Sequence, residues 1–276
     1  MKKLIVFTDL DGTLLDSRTY SFEEARPALD LLKEKRFPLV LCSSKTRAEI
    51  EHYRRLLQNS DPFISENGGG VFIPKGYFSF HIGGDCPVEE RGDYILLRLG
   101  APYDHLRNIF KELANRGFHI KGFGDMSPEE ISGLAGLSLE ESLMAGEREF
   151  DEPFVFRGTE EEKARLISAI EEKGLNYTQG RFFHLMGASD KGRAVAILME
   201  FYKKAFGEIS TIALGDGLND LPMLFLADHP VLVANARGEY DERINLPSLM
   251  RAPGPGSAGW GRAVLELLGK GLPERW

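Results

Sequence analysis

Short apolar runs that each stop at a cluster of chemistry-bearing side chains organise this chain from end to end. The first run, Leu4-Ile5-Val6-Phe7, leads almost at once into Asp9-Leu10-Asp11-Gly12-Thr13. Side chains two apart in a strand share a side, so Asp9 and Asp11 can both address a ligand placed over the strand's end. Gly12 then lets the backbone turn away. Taken alone, the pair also fits an ordinary acidic loop after a strand.

Three further segments follow the same plan. Pro38-Leu39-Val40-Leu41-Cys42 ends in Ser43-Ser44-Lys45-Thr46, before a helical stretch from Arg47 to Gln58. Ser43 can donate to an anion there, helped by the free amides and dipole of the helix; Ser44 or Thr46 equally fits an ordinary N-cap. In Ser189-Asp190-Lys191-Gly192, a lysine precedes a helix starting near Ala194. A cation at that end is unfavourable without an anion nearby, so Lys191 calls for a phosphate or carboxylate unless it is simply solvated. The strand Ile209 to Leu214 ends in Gly215-Asp216-Gly217-Leu218-Asn219-Asp220. In a parallel sheet such strand ends lie along one edge, which brings Asp9, Asp11, Ser43, Lys191, Asp216 and Asp220 together.

Composition narrows the partners. At 276 residues the chain can form one large or two modest domains, and 42% hydrophobic content is ordinary for a globular protein. A net charge of -8, with no basic block, argues against nucleic acid. No apolar run approaches the roughly 20 residues of a membrane helix, and Lys2-Lys3 leads into a short strand rather than a signal peptide, so no membrane partner and a cytoplasmic location are expected. The two cysteines, Cys42 and Cys86, make a disulfide framework improbable, and Cys42 reads as core. Oligomeric state is not legible.

Residues 1–82 alternate strands with amphipathic helices, the first helix near Phe22 to Lys35. Phe63-Ile64-Ser65 runs into Glu66-Asn67-Gly68-Gly69-Gly70, with Val71–Ile73 and Tyr77–Phe80 expected as hairpin strands. The glycines suit a tight turn, and Asn67 with the loop amides could touch substrate. Between residues 83 and 186 the pattern shifts to isolated strands and helices at Tyr103 to Arg116 and Glu160 to Lys173. The expected fold is therefore α/β, with a parallel-sheet core from 1–82 and 187–276 and an inserted second domain at 83–186. Pro253-Gly254-Pro255-Gly256 marks a loop before a final helix near Ala263.

The four segments, in this order, resemble the haloacid dehalogenase-like hydrolase superfamily: DxDGT, a serine after the second strand, a lysine before a helix, and GDGxND. The resemblance spans essentially the whole chain and implies a Rossmann-like core with an inserted α+β cap that selects the leaving group. It implies that Asp9 is a nucleophile forming a phosphoaspartyl intermediate and that Asp11 is the general acid–base. Mg²⁺ would be held by Asp9, the backbone carbonyl of Asp11, and Asp216. Ser43 and Lys191 would hold the transferring phosphoryl group, with Asn219 and Asp220 orienting Lys191 or metal-bound waters. Electrostatics requires such cations, because one pair of like charges at about 4 Å costs on the order of 4 kcal/mol at an effective dielectric near 20. A hard cation suits Asp9 and Asp216. The superfamily's dehalogenases lack this metal site and its pump relatives carry Thr where this chain has Asp11, so Asp11 favours phosphatase or phosphomutase chemistry.

Local strings are similar to the mannosyl-3-phosphoglycerate phosphatase family: Glu66-Asn67-Gly68-Gly69, Arg148-Glu149-Phe150-Asp151-Glu152-Pro153-Phe154, Gly180-Arg181-Phe182-Phe183-His184, and Gly259-Trp260. This implies a small phosphorylated sugar as substrate. Lys45, Arg181 and His184 are candidate donors to its anionic groups. Arg148 and Asp151 are candidate sugar contacts, unless that string is paired internally. Arg181 and His184 stand three apart, so on one straight strand only one of them would face substrate. Trp260 reads as packing for the last helix. The alternatives are another sugar-phosphate phosphatase (glucosyl-3-phosphoglycerate or sucrose phosphate), a phosphomannomutase-like phosphotransferase, and a catalytically silent phosphate-binding module.

Overall fold

The computed structural model describes residues 2–269, so the end of the expected 187–276 segment lies outside the described residues. In β1 (Lys3–Thr8), Leu4 and Val6 enter one hydrophobic cluster while Ile5 and Phe7 enter another. A strand apolar on both faces needs cover on both, which a parallel sheet between helical layers supplies. A short 3-10 turn at Glu23–Ala25 precedes α1 (Arg26–Glu34). This helix starts later than Phe22 because Pro27 fits only the first helical turn. There follow β2 (Leu39–Cys42), α2 (Arg47–Leu57), β3 (Phe63–Ser65) and β4 (Gly70–Pro74).

The expected strand at Tyr77–Phe80 is absent. Its aromatics instead pack on a later helix: Phe78 lies against Phe201 and Tyr202, and the Tyr77 hydroxyl reaches Asp61 and Tyr202. The antiparallel partner of β4 comes from further along the chain, where β5 (Val88–Arg91) and β6 (Tyr94–Arg98) form a hairpin on the edge of the same sheet. The main sheet thus continues past residue 82, and the insertion begins after β6.

That insertion contains α3 (Tyr103–Asn115), β7 (Ile120–Gly122), α4 (Pro128–Ala135), α5 (Leu139–Gly146), β8 (Asp151–Phe156), α6 (Glu160–Glu171), β9 (Asn176–Gln179) and β10 (Phe183–Met186). Its antiparallel sheet has the order β7-β8-β10-β9 and buries Leu106, Phe110, Phe154, Leu166 and Ile170 in a core of its own. This is the α+β cap.

The chain returns through α7 (Lys191–Phe206), β11 (Ile209–Gly215), α8 (Leu221–Leu226), β12 (His229–Ala234), β13 (Met250–Pro255) and α9 (Gly256–Gly269). The Pro253–Gly256 loop is not found: Pro253–Pro255 end β13, and the helix starts directly at Gly256. The main sheet runs β13-β12-β11-β1-β2-β3-β4-β6-β5, parallel from β13 to β3 and antiparallel beyond. The register places Thr8 beside Leu214 and Thr8 beside Leu41, so the carboxyl ends of β2, β1 and β11 are neighbours.

Candidate active site

Asp9 follows β1, and its amide donates to the Leu214 carbonyl of β11. Thr8 fixes the same corner: its hydroxyl donates to the Asp9 carbonyl and accepts from the Trp260 indole, a fully buried side chain. Trp260 is therefore packing, as its sequence position suggested, and also steadies the Asp9 backbone. Lys191, fully buried at the first turn of α7, donates to Asp9 Oδ1 and Asp220 Oδ1, each at 2.6 Å. The anion called for at this helix start is a pair of carboxylates. Burial opposes the lysine's charge, but Asp220 and Asp9 more than offset it and hold its pKa above the ordinary value.

Asp9, Asp216 and Asp220 present oxygens within 4.8 Å of one another. Burial pushes the Asp9 carboxyl up to about 7 against the pull of Lys191. Burial, with the charges of Asp9 and Asp220, holds Asp216 well above the carboxylate range. Three acids facing one ammonium leave excess negative charge, the donor chemistry of a hard divalent cation. Asp220 is fully committed, its Oδ1 to Lys191 and its Oδ2 to the amides of Asp216 and Gly217. Asp9 and Asp216 are thus the carboxylates that fit a metal. Asp216 also accepts from the Thr13 hydroxyl. A Cβ on Gly12 would stand 2.6 Å from Asp216 Oδ2, and φ there is +77°, so close approach and turn both require glycine.

Asp11 behaves differently. Its Oδ2 lies 3.0 Å from Lys45 Nζ, while Oδ1 is buried without a hydrogen-bond partner among the described residues. Lys45 is itself buried and shared with Glu49 Oε1 at 3.2 Å. Ser43 lies buried at the end of β2, where its Oγ accepts the Lys45 amide, so its own proton is not used in that bond. Thr46, not Ser44, caps α2, in a reciprocal box with Glu49.

A cleft of about 380 Å³ opens between core and cap, with Asp9, Asp11 and Asp216 on its floor and Arg148, Arg181 and His184 on its cap side. Arg181 and His184 both line it because Arg181 sits in the turn before β10, where strand alternation does not apply. The Arg181 guanidinium donates to the carbonyls of Leu134 and Ala135 and makes no ion pair among the described residues. His184 Nδ1 lies 2.8 Å from Asp151 Oδ2, which leaves Nε2 for the cleft.

Several expected substrate contacts need correction. Asp151 is fully buried and meets His184 and Asn67, so it acts on the cleft only through them. Asn219, expected to orient Lys191 or metal-bound waters, has its amide on Asn67 and no hydrogen bond to Lys191 among the described residues. Arg148 lines the cleft, but its Nε and Nη1 are spent on the Ala145 and Ser44 carbonyls, and Nη2 lies 3.8 Å from Glu49. Its string is chiefly the joint between cap and core. Glu149 accepts from Arg47, and the backbone amides of Glu149 and Phe150 donate to Glu66. Phe150 fills the space left by three glycines, since a Cβ on Gly69, Gly70 or Gly100 would come within 2.4, 2.7 or 2.8 Å of it. The glycine run after Asn67 serves this contact as much as a turn.

Sequence reasoning missed Glu49 and Glu66. Glu49 carries a signal, the Thr46-x-x-Glu49 capping pattern, but that pattern does not distinguish a buried glutamate from an exposed one.

The parallel core, the inserted cap and four acids at the strand ends define a class of hydrolase. A family model for haloacid dehalogenase-like hydrolases matches residues 6–80 and 149–245. The chain is 48% identical over 97% of its length to a glucosyl-3-phosphoglycerate/mannosyl-3-phosphoglycerate phosphatase of Methanococcoides burtonii, covering 98% of that protein. It is 37% identical over 87% of its length to a mannosyl-3-phosphoglycerate phosphatase of Pyrococcus horikoshii, covering 95% of that protein. In fold it is similar to a crystal structure of protein 0175 of Thermoplasma acidophilum, with a TM-score of 0.68, 18% identity, and coverage of 96% of this chain and 98% of that one. The chain belongs to the haloacid dehalogenase-like hydrolases and, within them, to the family of these phosphoric monoester hydrolases. Among the described residues no helix is long and apolar enough to cross a membrane.

Proposed function

We propose that this chain hydrolyses mannosyl-3-phosphoglycerate to mannosylglycerate and phosphate, with Mg²⁺ as cofactor. The observation that carries the reading is the pairing across one cleft of the Asp9 carboxylate cluster with Arg181, a guanidinium that donates to two carbonyls and has no carboxylate partner among the described residues. A substrate with both a phosphate and a carboxylate uses both ends, and Arg181 is suited to the carboxylate.

In this mechanism Asp9 attacks phosphorus, and the bond from phosphorus to the leaving oxygen breaks. Asp11 gives its proton to that oxygen, then takes one from the water that attacks the phosphoaspartyl group, which restores Asp9. Lys191, braced by Asp220, fixes the Asp9 carboxylate, and the Ser43 hydroxyl is suited to donate to a phosphoryl oxygen. Mg²⁺ held by Asp9 and Asp216 would supply positive charge against the repulsion between carboxylate and phosphate dianion. The cap, joined to the core at Thr46, Arg47 and Glu66, forms one wall of the cleft over the acids.

A second reading, the glucosyl analogue as co-substrate, is favoured by the double name of the relative at 48% identity. Phosphate release from the mannosyl and glucosyl compounds and from simple sugar phosphates, with and without Mg²⁺, tests both. Mg²⁺-dependent preference for the glycosyl-phosphoglycerates supports the proposal. Turnover confined to simple sugar phosphates overturns the substrate, and isomerisation without phosphate release overturns the hydrolase.

A further inference from the structure

Four charged side chains from three parts of the chain form a line across the joint between cap and core. Arg148 of the cap stands 3.8 Å from Glu49 of α2, Glu49 stands 3.2 Å from Lys45, and Lys45 stands 3.0 Å from Asp11. The side chains of Arg148, Glu49 and Lys45 are each no more than 7% exposed, so their charges are little screened. The rings of Tyr20 and Tyr53 close over the Lys45 ammonium at 5.3 and 5.7 Å from their centres.

Glu49 does more here than cap a helix. Its Oε2 accepts the Thr46 amide, which would suffice for the cap, yet its Oε1 is spent on Lys45. With a carboxylate on each side, the ammonium is held at a fixed point instead of collapsing onto whichever acid is nearer. That point engages Asp11 through Oδ2, while the Asp11 side chain, 41% exposed, stays open to the cleft.

We propose that Glu49 is a positioning residue: through Lys45, which it holds against Asp11 Oδ2, it sets the orientation of the Asp11 carboxyl on the floor of the cleft, and Arg148 completes the arrangement when the cap is docked. The proposal rests on the reading of Asp11 as the general acid.

The test compares two leaving groups in the full-length enzyme with Mg²⁺. An aliphatic alkoxide, of glycerate or of a sugar, needs a proton as it departs, whereas p-nitrophenolate departs without one, and kcat/KM reports that first step. Glu49→Gln keeps an oxygen for the Thr46 amide and removes the charge. It should lower kcat/KM on the sugar phosphate that the wild type hydrolyses best by at least about tenfold, and on p-nitrophenyl phosphate by less than about threefold. Lys45→Gln should give the same pattern and serves alone if Glu49→Gln does not fold. Since the two act in series, the double variant should lose no more than about the worse single one. Equal losses on both substrates would mean a structural role and overturn the proposal, as would no loss. A wild type that hydrolyses p-nitrophenyl phosphate and simple sugar phosphates but not glycosyl-phosphoglycerates overturns the proposed substrate and leaves this comparison standing.

Discussion

Lys191 and Asp9 are 182 residues apart in sequence and 2.6 Å apart in space, joined by a bond fully enclosed by protein. The lysine is shared evenly with Asp220, so Asp9 keeps its second oxygen free toward the cleft. A nucleophile needs this arrangement: one oxygen anchored, the other exposed to phosphorus.

Asp9→Asn should therefore abolish turnover, with kcat reduced by at least about a thousandfold, because an amide cannot form the covalent intermediate. Folding should survive. The substitution removes one of three crowded acids, and Lys191 keeps Asp220. The thermal midpoint measured in a chelator should equal or exceed that of the wild type. Activity within tenfold of wild type would show that another group attacks phosphorus.

Removal of divalent cations should stop phosphate release, and Mg²⁺ should restore it. The same ion should stabilise the fold, because Asp9 and Asp216 are both held above the carboxylate range by burial and by their neighbours' charge. At a hundredfold excess over its dissociation constant, an ion that binds only the folded chain adds about 2.7 kcal/mol. Thermal unfolding with increasing Mg²⁺ reads this directly, and Asp216→Asn should weaken the response. A midpoint indifferent to Mg²⁺ would contradict the site.

The parts of this design that were legible in sequence are those where one residue type admits few environments. Leu4–Phe7, apolar on both faces, and Ile209–Leu214, mostly apolar, read as central parallel strands, and the acids at their ends then meet. Lys191 at a helix start called for an anion unless it was solvated, and it found two. Tyr77–Phe80 is rich in aromatics like a strand, but nothing in a pattern of four residues says that Phe201 and Tyr202 lie beneath it. The Arg148–Phe154 string looked like a sugar-facing surface because charge beside an aromatic suits a sugar. The same composition suits a joint, and only Gly69, Gly70 and Gly100, shaped to Phe150, decide between them. Glu49 was hidden because its capping pattern recurs at Ser127/Glu130, Ser138/Glu141 and Thr159/Glu162, where the glutamates face solvent or are only partly covered.

Arg181 tests the substrate side independently of catalysis. Arg181→Met keeps an unbranched apolar stem and removes the guanidinium, which stands over the Phe182 ring. Its expected effect is a rise in KM of about tenfold or more for a glycosyl-phosphoglycerate, a loss within the range of a charge-assisted hydrogen bond. For a sugar phosphate without a carboxylate, KM should change less than about twofold. Equal rises for both substrates would place the arginine on a group they share.

Glu66 joins the cap to the core, and its charge state sets how that joint responds to pH. The carboxyl is wholly buried and accepts the amides of Glu149 and Phe150. Burial pushes its pKa from 4.5 up to about 8, with Arg148 opposing and Asp151 assisting. The folded chain therefore keeps a proton that the unfolded chain gives up near 4.5. The stability linked to that proton is fully present below about pH 4.5, falls as pH rises toward 8, and is gone above it. Glu66→Gln, which stays neutral at every pH, removes this dependence. The wild type should compare best with the variant near pH 5 and lose ground steadily up to about pH 8, by up to about 4 kcal/mol at the limit set by linkage. Urea unfolding of both proteins at pH 5, 7 and 9 measures the difference. A gap that stays constant across the three would mean that Glu66 is already ionised in the folded chain at pH 5, with the two amides and Arg148 outweighing its burial.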